Sequence, residues 1–229
     1  MLSARRRRRP VVAIAVGLVT LMGMSVVGIT LADASPVGAT SGDPRRDLLA
    51  RLERGATTTW AMKTRFHRTT PAGPLDANLE QLNRQPDWLT AGFGSVRGVW
   101  NGKTVDCANA PGGKLCGPTA AVDPTISART SVAALRAETG RRGTARVRRD
   151  GTVGAAGRRG RCYSVVPRRD RTDRRTVTQY CLTRDGIPLR VRVRRTDSSD
   201  TATALQIRTT VTDADFAHLL EGYPISPPS

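Results

Sequence analysis

Apolar and polar side chains alternate with a period of two along much of this chain, which is typical of β-strands with one buried face. The clearest case is Thr57–Thr69, where one predicted face carries Trp60, Met62, Thr64 and Phe66. Asn101-Gly102 adds the signal of a tight hairpin. Four later runs predict an antiparallel meander: Arg161–Val166, Thr176–Thr183, Ile187–Thr196 and Ala202–Thr212.

Two segments have the period of an α-helix instead. Asp43 followed by Pro44 is a typical N-cap and first helical position, and the helix is predicted to run to about Arg54. Gly55 predicts its end. A second helix is predicted over Thr130–Glu138. The first helix has a single apolar stripe, formed by Leu48, Leu49 and Leu52.

The N terminus has a pattern of its own, because Arg5–Arg9 lead into 22 residues without charge, Val11–Ala32. A basic flank before such a stretch predicts that the rest of the chain is extracytoplasmic. Ala34 completes a small-x-small cleavage pattern, but the stretch is long enough to remain as an anchor, so both outcomes stay open. The predicted organisation is a signal peptide or signal anchor, a linker and one extracytoplasmic domain, over residues 1–34, 35–42 and 43–229.

The four cysteines form an even set, and disulfides are the default in an oxidising compartment. Three pairings are possible in principle. Zinc is the competing interpretation, but there is no C-x-x-C motif, and the only histidines, His67 and His218, lie far from the cysteines in sequence. We therefore expect no metal site and two disulfides among Cys107, Cys116, Cys162 and Cys181.

A turn at Asp185-Gly186 would fix the register of the hairpin around it. Leu182 would then face Leu189, Tyr180 would face Val191, Thr178 would face Val193, and Cys181 would face Arg190. If Cys162 lies opposite Cys181, Tyr163 falls opposite Tyr180. The sheet is thus predicted to have an apolar face that carries tyrosines and a second face that carries the disulfide and arginines, among them Arg190, Arg192 and Arg194.

Positive charge is concentrated in one block of the chain. Of a net charge of +18, the window Arg141–Arg195 accounts for +14, with 18 arginines and four aspartates. Nucleic acid is not the expected partner, because the chain is predicted to be exported and only Tyr163 and Tyr180 in this window could stack on bases. Anionic lipid headgroups or cell-envelope polymers fit better. A solvated sheet face with arginine in place of lysine is the alternative.

Enzymatic chemistry finds no support in the residues. With two histidines in unrelated settings, no Ser/His/Asp or Cys/His arrangement can be proposed, and no cofactor motif is present. Gly151–Gly157 fits neither a dinucleotide fingerprint nor a phosphate loop, and glycine-rich turns between strands explain it. Asp197–Asp200 and Asp213-x-Asp215 lack the spacing of a calcium loop, so we predict turn and helix-cap roles for them.

Several of these features follow one another along the chain in a characteristic order. A helix leads into a long antiparallel sheet, and a C-x8-C loop follows. The later motifs are Ala156–Val165, Gln179–Leu182 before Asp185-Gly186, and Asp213–Phe216. This order, over roughly Asp43–Tyr223, resembles exported actinobacterial proteins of the lipoprotein-carrier half-barrel superfamily, which includes mycobacterial glycolipid-carrying lipoproteins. This chain lacks the lipobox cysteine of the lipid-anchored members.

The resemblance implies an α+β fold, with a curved antiparallel sheet that forms an open half-barrel covered by one or two helices, after the single N-terminal membrane segment. It also implies a concave face able to hold acyl chains. The residues predicted to line that face are Trp60, Met62, Phe66, Tyr163, Tyr180, Leu189, Val191 and Val193. The alternative for each is ordinary core, since either predicted helix could cover the face.

Two functions follow from the sequence. The first is a non-enzymatic domain, expected to be monomeric, that binds lipid or a lipid-modified ligand at the membrane surface, with Arg190, Arg192 and Arg194 contacting anionic groups. The second is a cell-envelope sensor or protein-interaction domain with a filled core and no lipid ligand.

Overall fold

The computed structural model of this chain describes residues 42–117, 132–168 and 176–224. These residues form an open antiparallel sheet of 11 strands with three helices. In chain order the elements are α1 (Pro44–Thr57), β1 (Trp60–Thr70), β2 (Gly73–Arg84), β3 (Asp87–Gly92), β4 (Ser95–Trp100), β5 (Lys103–Ala110), β6 (Gly113–Cys116), α2 (132–138), β7 (Ala145–Ala155), β8 (Arg158–Pro167), β9 (Val177–Leu182), β10 (Pro188–Arg194), β11 (Ser199–Arg208) and α3 (Asp213–Leu219).

The predicted membrane segment and its cleavage site lie outside the described residues. Within residues 42–117, 132–168 and 176–224, no helix combines the length and the apolar character needed to cross a bilayer.

The sheet consists of two meanders joined side by side. Its strand order is β6-β5-β4-β3-β2-β1-β11-β10-β9-β8-β7. Strands that neighbour each other in the sheet are also consecutive in the chain, except at the junction of β1 with β11. The predicted antiparallel meander and the Asn101-Gly102 hairpin between β4 and β5 are therefore confirmed.

The sheet curls toward one of its faces. β7 lies three and four places away from β10 and β11, yet its Cα atoms come within 8 Å of both strands. Adjacent strands are about 4.8 Å apart, so a flat sheet would separate β7 from β10 by about 14 Å. Ala156, in the turn between β7 and β8, packs in one cluster with Trp60 and Met62. The face of β1 that carries these two side chains is therefore the concave face, and the opposite one is the convex face.

The first helix begins as predicted and ends later. The Asp43 side chain accepts a hydrogen bond from the Arg45 amide (2.9 Å) and Pro44 occupies the first turn, but the helix continues to Thr57. The predicted end at Gly55 is wrong. A Cβ atom at Gly55 would lie 2.2 Å from the carbonyl oxygen of Gly186, so glycine is required there because two backbones touch.

The helices cover opposite faces of the two meanders. On the concave face, α1 and α2 pack over β7, β8 and β9, where Leu48 and Leu52 contact Tyr163, Val165 and Leu182. On the convex face, α3 packs over β1 to β5 through Phe216, which is fully buried. These contacts confirm the predicted arrangement of a sheet covered by helices.

The cap role predicted for Asp213-x-Asp215 is confirmed, since both residues lie in the first turn of α3. The Asp215 carboxylate accepts a hydrogen bond from the Thr212 amide (2.7 Å). The turn predicted over Asp197–Asp200 is only partly correct, because Asp200 is buried in β11 and pairs with Arg68 and Arg195.

The register around the second disulfide follows the prediction closely. Cys162 is bonded to Cys181 between β8 and β9, and Cys107 is bonded to Cys116 between β5 and β6. The predicted cross-strand pairs are Tyr163 with Tyr180, Tyr180 with Val191, Thr178 with Val193 and Cys181 with Arg190, and all of them are present. Disulfides of this kind are typical of extracytoplasmic proteins.

Two local predictions in the second meander are wrong. Leu182 pairs with Pro188 and not with Leu189, because an irregularity in β10 between Pro188 and Arg190 shifts the register there. Gly151–Gly157 is not a series of turns. β7 continues through it to Ala155, with a register shift near Gly151, and only Ala156 and Gly157 form the turn.

Candidate functional site

One cross-strand row on the concave face brings together four of the residues predicted to bind a ligand. Phe66 of β1 pairs with Ala202 of β11, and Ala202 pairs with Val191 of β10. Val191 pairs with Tyr180 of β9, which pairs with Tyr163 of β8. An apolar row thus crosses five strands.

The other four predicted residues lie on or beside the same surface. Trp60 and Met62 precede Phe66 on the same face of β1, and Val193 follows Val191 on that of β10. Leu189 is fully buried at the β10 irregularity. The sequence therefore placed the side chains of the row correctly relative to one another, whereas the predicted register of Leu189 is wrong. Contact of these residues with a ligand remains a prediction.

This apolar surface is covered in the structure. Tyr163 is fully buried, and Trp60, Met62, Phe66 and Val193 are buried too, whereas Val191 and Tyr180 are half-buried. The cover consists of α1, α2 and the β7–β8 turn. At the other end of the row, Phe93 meets Phe66 edge-on, with their ring centroids 5.2 Å apart.

A small cavity remains between α1 and β10. Its volume is about 40 Å³, enough for one or two water molecules. It has no room for an acyl chain unless the covering elements move. The cavity is lined by Gly55, Trp60, Met62, Thr64, Gln81, Tyr180, Gly186, Pro188, Leu189, Arg190, Val191, Ala202 and Ala204.

Thr64 is an unusual member of this lining, because its hydroxyl is buried and has no hydrogen-bond partner in the described part of the chain. We expect Thr64→Val to raise the free energy of unfolding by about 1 kcal/mol, since valine keeps the shape and removes an unsatisfied polar group. Urea denaturation measures the change.

Thr183→Val is the matched control, because the Thr183 hydroxyl accepts a hydrogen bond from the buried Ile187 amide (3.0 Å). Its loss should lower the free energy of unfolding by about 1 kcal/mol. A destabilised Thr64→Val variant would contradict the assignment and indicate that the cavity supplies the hydroxyl with a partner.

A buried carboxylate fastens the N-terminal half of α1 to the sheet. Asp47 accepts hydrogen bonds from the Tyr163 hydroxyl (2.5 Å), from Nη1 of Arg161 (2.8 Å) and from Nε of Arg51 (3.0 Å). Its side chain is 14% exposed. Charge-assisted hydrogen bonds of this kind are the strong ones, so this group, the Asp47 hub, ties α1 to β8.

The hub shifts the proton affinity of its members. Burial raises the pKa of the Asp47 carboxyl, but hydrogen bonds from Tyr163 and Arg161 and the charge of Arg51 outweigh it, so the pKa lies below its ordinary value. Burial and the bond to Asp47 raise the pKa of the Tyr163 hydroxyl. Asp47 is therefore ionised and Tyr163 is a proton donor near neutral pH.

The depressed pKa of Asp47 predicts how stability depends on acidity. Because the folded-state pKa lies below the unfolded value of about 3.9, the stabilisation is complete above that value and is lost as the pH falls through the folded-state pKa. We expect the difference in unfolding free energy between the wild type and Asp47→Asn to shrink from pH 5 downward in thermal denaturation. An unchanged difference at pH 3 would contradict this.

The C-terminal half of α1 is held by backbone groups of the β9–β10 loop. Nη1 of Arg51 donates to the carbonyl of Thr183 (2.7 Å), and Nε of Arg54 donates to the carbonyl of Arg184 (3.0 Å). The contact between Gly55 and Gly186 lies beside them. This end of α1 forms one wall of the cavity.

The second helix is attached mainly to α1. Arg45 donates through Nε to the Thr139 hydroxyl (3.2 Å) and through Nη2 to the Arg136 carbonyl (3.1 Å). Arg136 forms an ion pair with Glu53. Burial, with a smaller contribution from Glu138, raises the pKa of Tyr180 to about 12. Through the contacts of Arg45 and Arg136, the two helices form one connected cover over the apolar row.

The three arginines predicted to contact anions lie on the convex face, as the register required. Arg190 is half-buried and donates to Oε1 of Gln179 (3.2 Å), whereas Arg192 and Arg194 are exposed. The same face carries the second disulfide.

Sequence reasoning missed the Asp47 hub. The only local signal was the spacing of Asp47 and Arg51, four residues apart on one helix face. The other two partners are 114 and 116 residues away, and no pattern in the sequence links them to α1.

The described residues offer neither a free cysteine nor a candidate metal site. All four cysteines are in disulfides. Across residues 42–117, 132–168 and 176–224, no three of His, Cys, Asp and Glu gather in a way that could hold a metal ion.

No protein-family model and no curated protein matches this chain. Among solved structures it is similar to MucB, with 16% identity over 73% of this chain and 59% of MucB at a TM-score of 0.43. The chain thus spans about three fifths of the MucB chain that it matches. MucB is also found in the MucA/MucB complex from Pseudomonas aeruginosa.

Two other similar structures are a lipoprotein and a lipoprotein-sorting domain by name. One is the lipoprotein LppX of Mycobacterium tuberculosis, with 11% identity over 72% of this chain and 97% of LppX at a TM-score of 0.41. The other is an outer membrane lipoprotein-sorting protein domain from Vibrio parahaemolyticus, with 11% identity, 77% and 98% coverage and a TM-score of 0.33. The resemblance predicted from the sequence is thus matched by a lipoprotein and a lipoprotein-sorting domain among the similar solved structures.

Proposed function

We propose that this protein is a non-enzymatic extracytoplasmic binding protein for a lipid or a lipid-modified ligand. The ligand lies against the concave face, and α1 and α2 are the cover that moves to admit it. The observation that supports this most is the continuous apolar row from Phe66 to Tyr163, which crosses five strands beneath a cover of two connected helices.

The hydrogen bonds that hold α1 can break while the rest of the core stays packed. Asp47, Arg51 and Arg54 hold α1 through hydrogen bonds to the sheet and the β9–β10 loop. Such bonds can be exchanged for bonds to water when the helix moves away. The 40 Å³ cavity lies where α1 meets β10, so a small outward movement of α1 enlarges a space that already exists.

A second function is supported by the volume of that cavity. At about 40 Å³ the space between α1 and β10 is nearly filled, as in an interaction domain whose sheet serves only as scaffold. In that case the ligand is a protein that contacts a sheet edge or the convex face, and no lipid enters.

Bound lipid distinguishes the two functions. The full chain is purified from its native membrane in mild detergent and measured by intact and denaturing mass spectrometry. The first function predicts a bound lipid mass that disappears on denaturation. A clean mass of the protein alone after mild extraction would contradict it and support the filled-core domain. The denatured mass also shows whether the chain begins at Ser35.

A space-filling variant tests where the lipid lies. Val191 is half-buried in the cavity lining, so Val191→Phe should reduce the bound lipid at least tenfold by occupying the space between α1 and β10. Gln206→Phe adds the same ring at an exposed position of β11 and should retain the lipid. Equal lipid in both variants would show that it binds elsewhere.

A further inference from the structure

The convex face of β10, β11 and β1 carries cations on both sides of a strand that presents hydroxyl groups. Thr203 of β11 is flanked by Arg190 on β10 and Arg65 on β1. Thr201 is flanked in the same way by Arg192 and His67. Because adjacent strands are about 4.8 Å apart, the two cationic rows are about 10 Å apart with hydroxyls between them.

Three cations of this face, including Arg194 at the end of β10, are not engaged elsewhere in the part of the chain that the structure describes. Arg65, Arg192 and Arg194 are exposed and form no ion pair with another described residue. His67, by contrast, contacts Asp76 (2.9 Å), and Arg190 is bonded to Gln179.

Two of the acidic groups on this face already have hydrogen-bond partners of their own. Asp150 accepts hydrogen bonds from Ser164 and from Gln179 (2.9 Å), and Asp76 contacts His67. Glu80 lies opposite Lys63 in the register of β1 and β2. None of these carboxylates forms an ion pair with the three exposed arginines.

An exposed leucine stands beside the cations. β1 and β11 shift register between Lys63 and Thr64, which leaves Leu205 as the extra residue, and it is 48% exposed. A shallow groove of about 440 Å³ adjoins it on the convex side of β1, β2 and β3, lined in part by Lys63, Glu80 and Ala91. An exposed apolar side chain beside Lys63, on the same face as the arginines further along the strands, suits the boundary between headgroups and acyl chains of a bilayer.

We infer that the convex face of β1, β10 and β11 docks onto a bilayer that contains anionic phospholipid. The three arginines bind headgroup phosphates and Leu205 enters the interface. A bilayer fits this surface because it offers many phosphates in one plane, matching cations on the two strands that flank β11, and an apolar layer beneath them for the leucine. This goes beyond the proposed function: the docked surface is opposite to the face covered by α1 and α2, so those helices stay free to move.

Arginine footprinting tests the inference with the full chain. The protein is placed in nanodiscs of phosphatidylcholine alone or with phosphatidylglycerol, treated with phenylglyoxal, and each arginine's modification rate is read by peptide mass spectrometry. We expect the rates at Arg65, Arg192 and Arg194 to fall about tenfold or more in the anionic discs only, and the protection to disappear in 1 M salt. The internal controls are the exposed arginines Arg46, Arg142 and Arg184.

Other outcomes overturn the inference. Equal arginine modification rates in the two kinds of disc would mean that this face contacts solvent and not lipid. Protection by inorganic phosphate or a soluble polyanion, without protection by anionic discs, would assign the surface to a soluble anion. Arg65→Gln/Arg192→Gln/Arg194→Gln should retain the lipid mass that tests the concave face, so failure of docking and failure of the proposed function give different results. The control is the variant Arg46→Gln/Arg142→Gln/Arg184→Gln. If the first triple variant loses the lipid mass and this control retains it, the docking surface is not separate from the concave face.

Discussion

Asp47→Ala should lower the free energy of unfolding by about 4 kcal/mol and loosen α1 from the sheet. The variant leaves the Tyr163 hydroxyl and the Arg161 guanidinium without the carboxylate that both contact. Removing one member of a buried ionic group costs more than the group contributes as a whole, because the remaining charges stay buried and unpaired. Urea denaturation measures the loss, and hydrogen exchange of the α1 amides shows whether the helix separates from the sheet first.

Asp76→Ala is the matched control for this change. Asp76 pairs with His67 on the surface, where its side chain is 64% exposed. Its removal should cost less than 1 kcal/mol. If the two variants lose similar stability, the hub does not hold α1. If Asp47→Ala folds and its α1 amides exchange faster, the proposed function further predicts faster uptake of lipid.

Gly55→Ala should destabilise the protein by about 3 kcal/mol, although alanine is the better helix former by about 1 kcal/mol. The added methyl group would lie 2.2 Å from the Gly186 carbonyl oxygen, and a backbone carbonyl cannot rotate away as a flexible side chain does. The helix must therefore lift, which also weakens the bond from Arg51 to Thr183. Thermal denaturation gives both the sign and the size of the effect.

The control is Gly42→Ala, where an added Cβ meets nothing within 4 Å. This change should leave stability within about 0.5 kcal/mol. A stabilised Gly55→Ala variant would mean that helix propensity dominates and that the contact between α1 and the β9–β10 loop relaxes easily.

The sequence was most informative where short hairpins set the register. Asp185-Gly186 placed Tyr180 opposite Val191, and the cysteines placed Tyr163 opposite Tyr180, because a side-chain period of two allows one alignment with a consistent apolar face. The prediction failed at Leu189, where the β10 irregularity adds a residue that no sequence pattern announces.

Contacts between distant segments could not be predicted in the same way. Gly55 looked like a helix end because glycine commonly ends helices, and only the approach of Gly186, 131 residues later, shows its other role. The Asp47 hub and the burial of Asp200 have the same origin, since each carboxylate has a partner from a distant segment, Arg161 for Asp47 and Arg68 for Asp200. The side chains of the concave face could thus be predicted strand by strand. The contacts that hold the helices over this face could not be predicted.

The single junction between β1 and β11 has a consequence for folding. Every other neighbouring pair in the sheet is a hairpin of consecutive strands and closes a short segment of chain. The junction alone brings together residues as far apart as Ala61 and Arg208. The entropic cost of closing long loops is therefore concentrated at the junction between the two meanders, and we expect the alignment of β1 with β11 to limit the rate of folding.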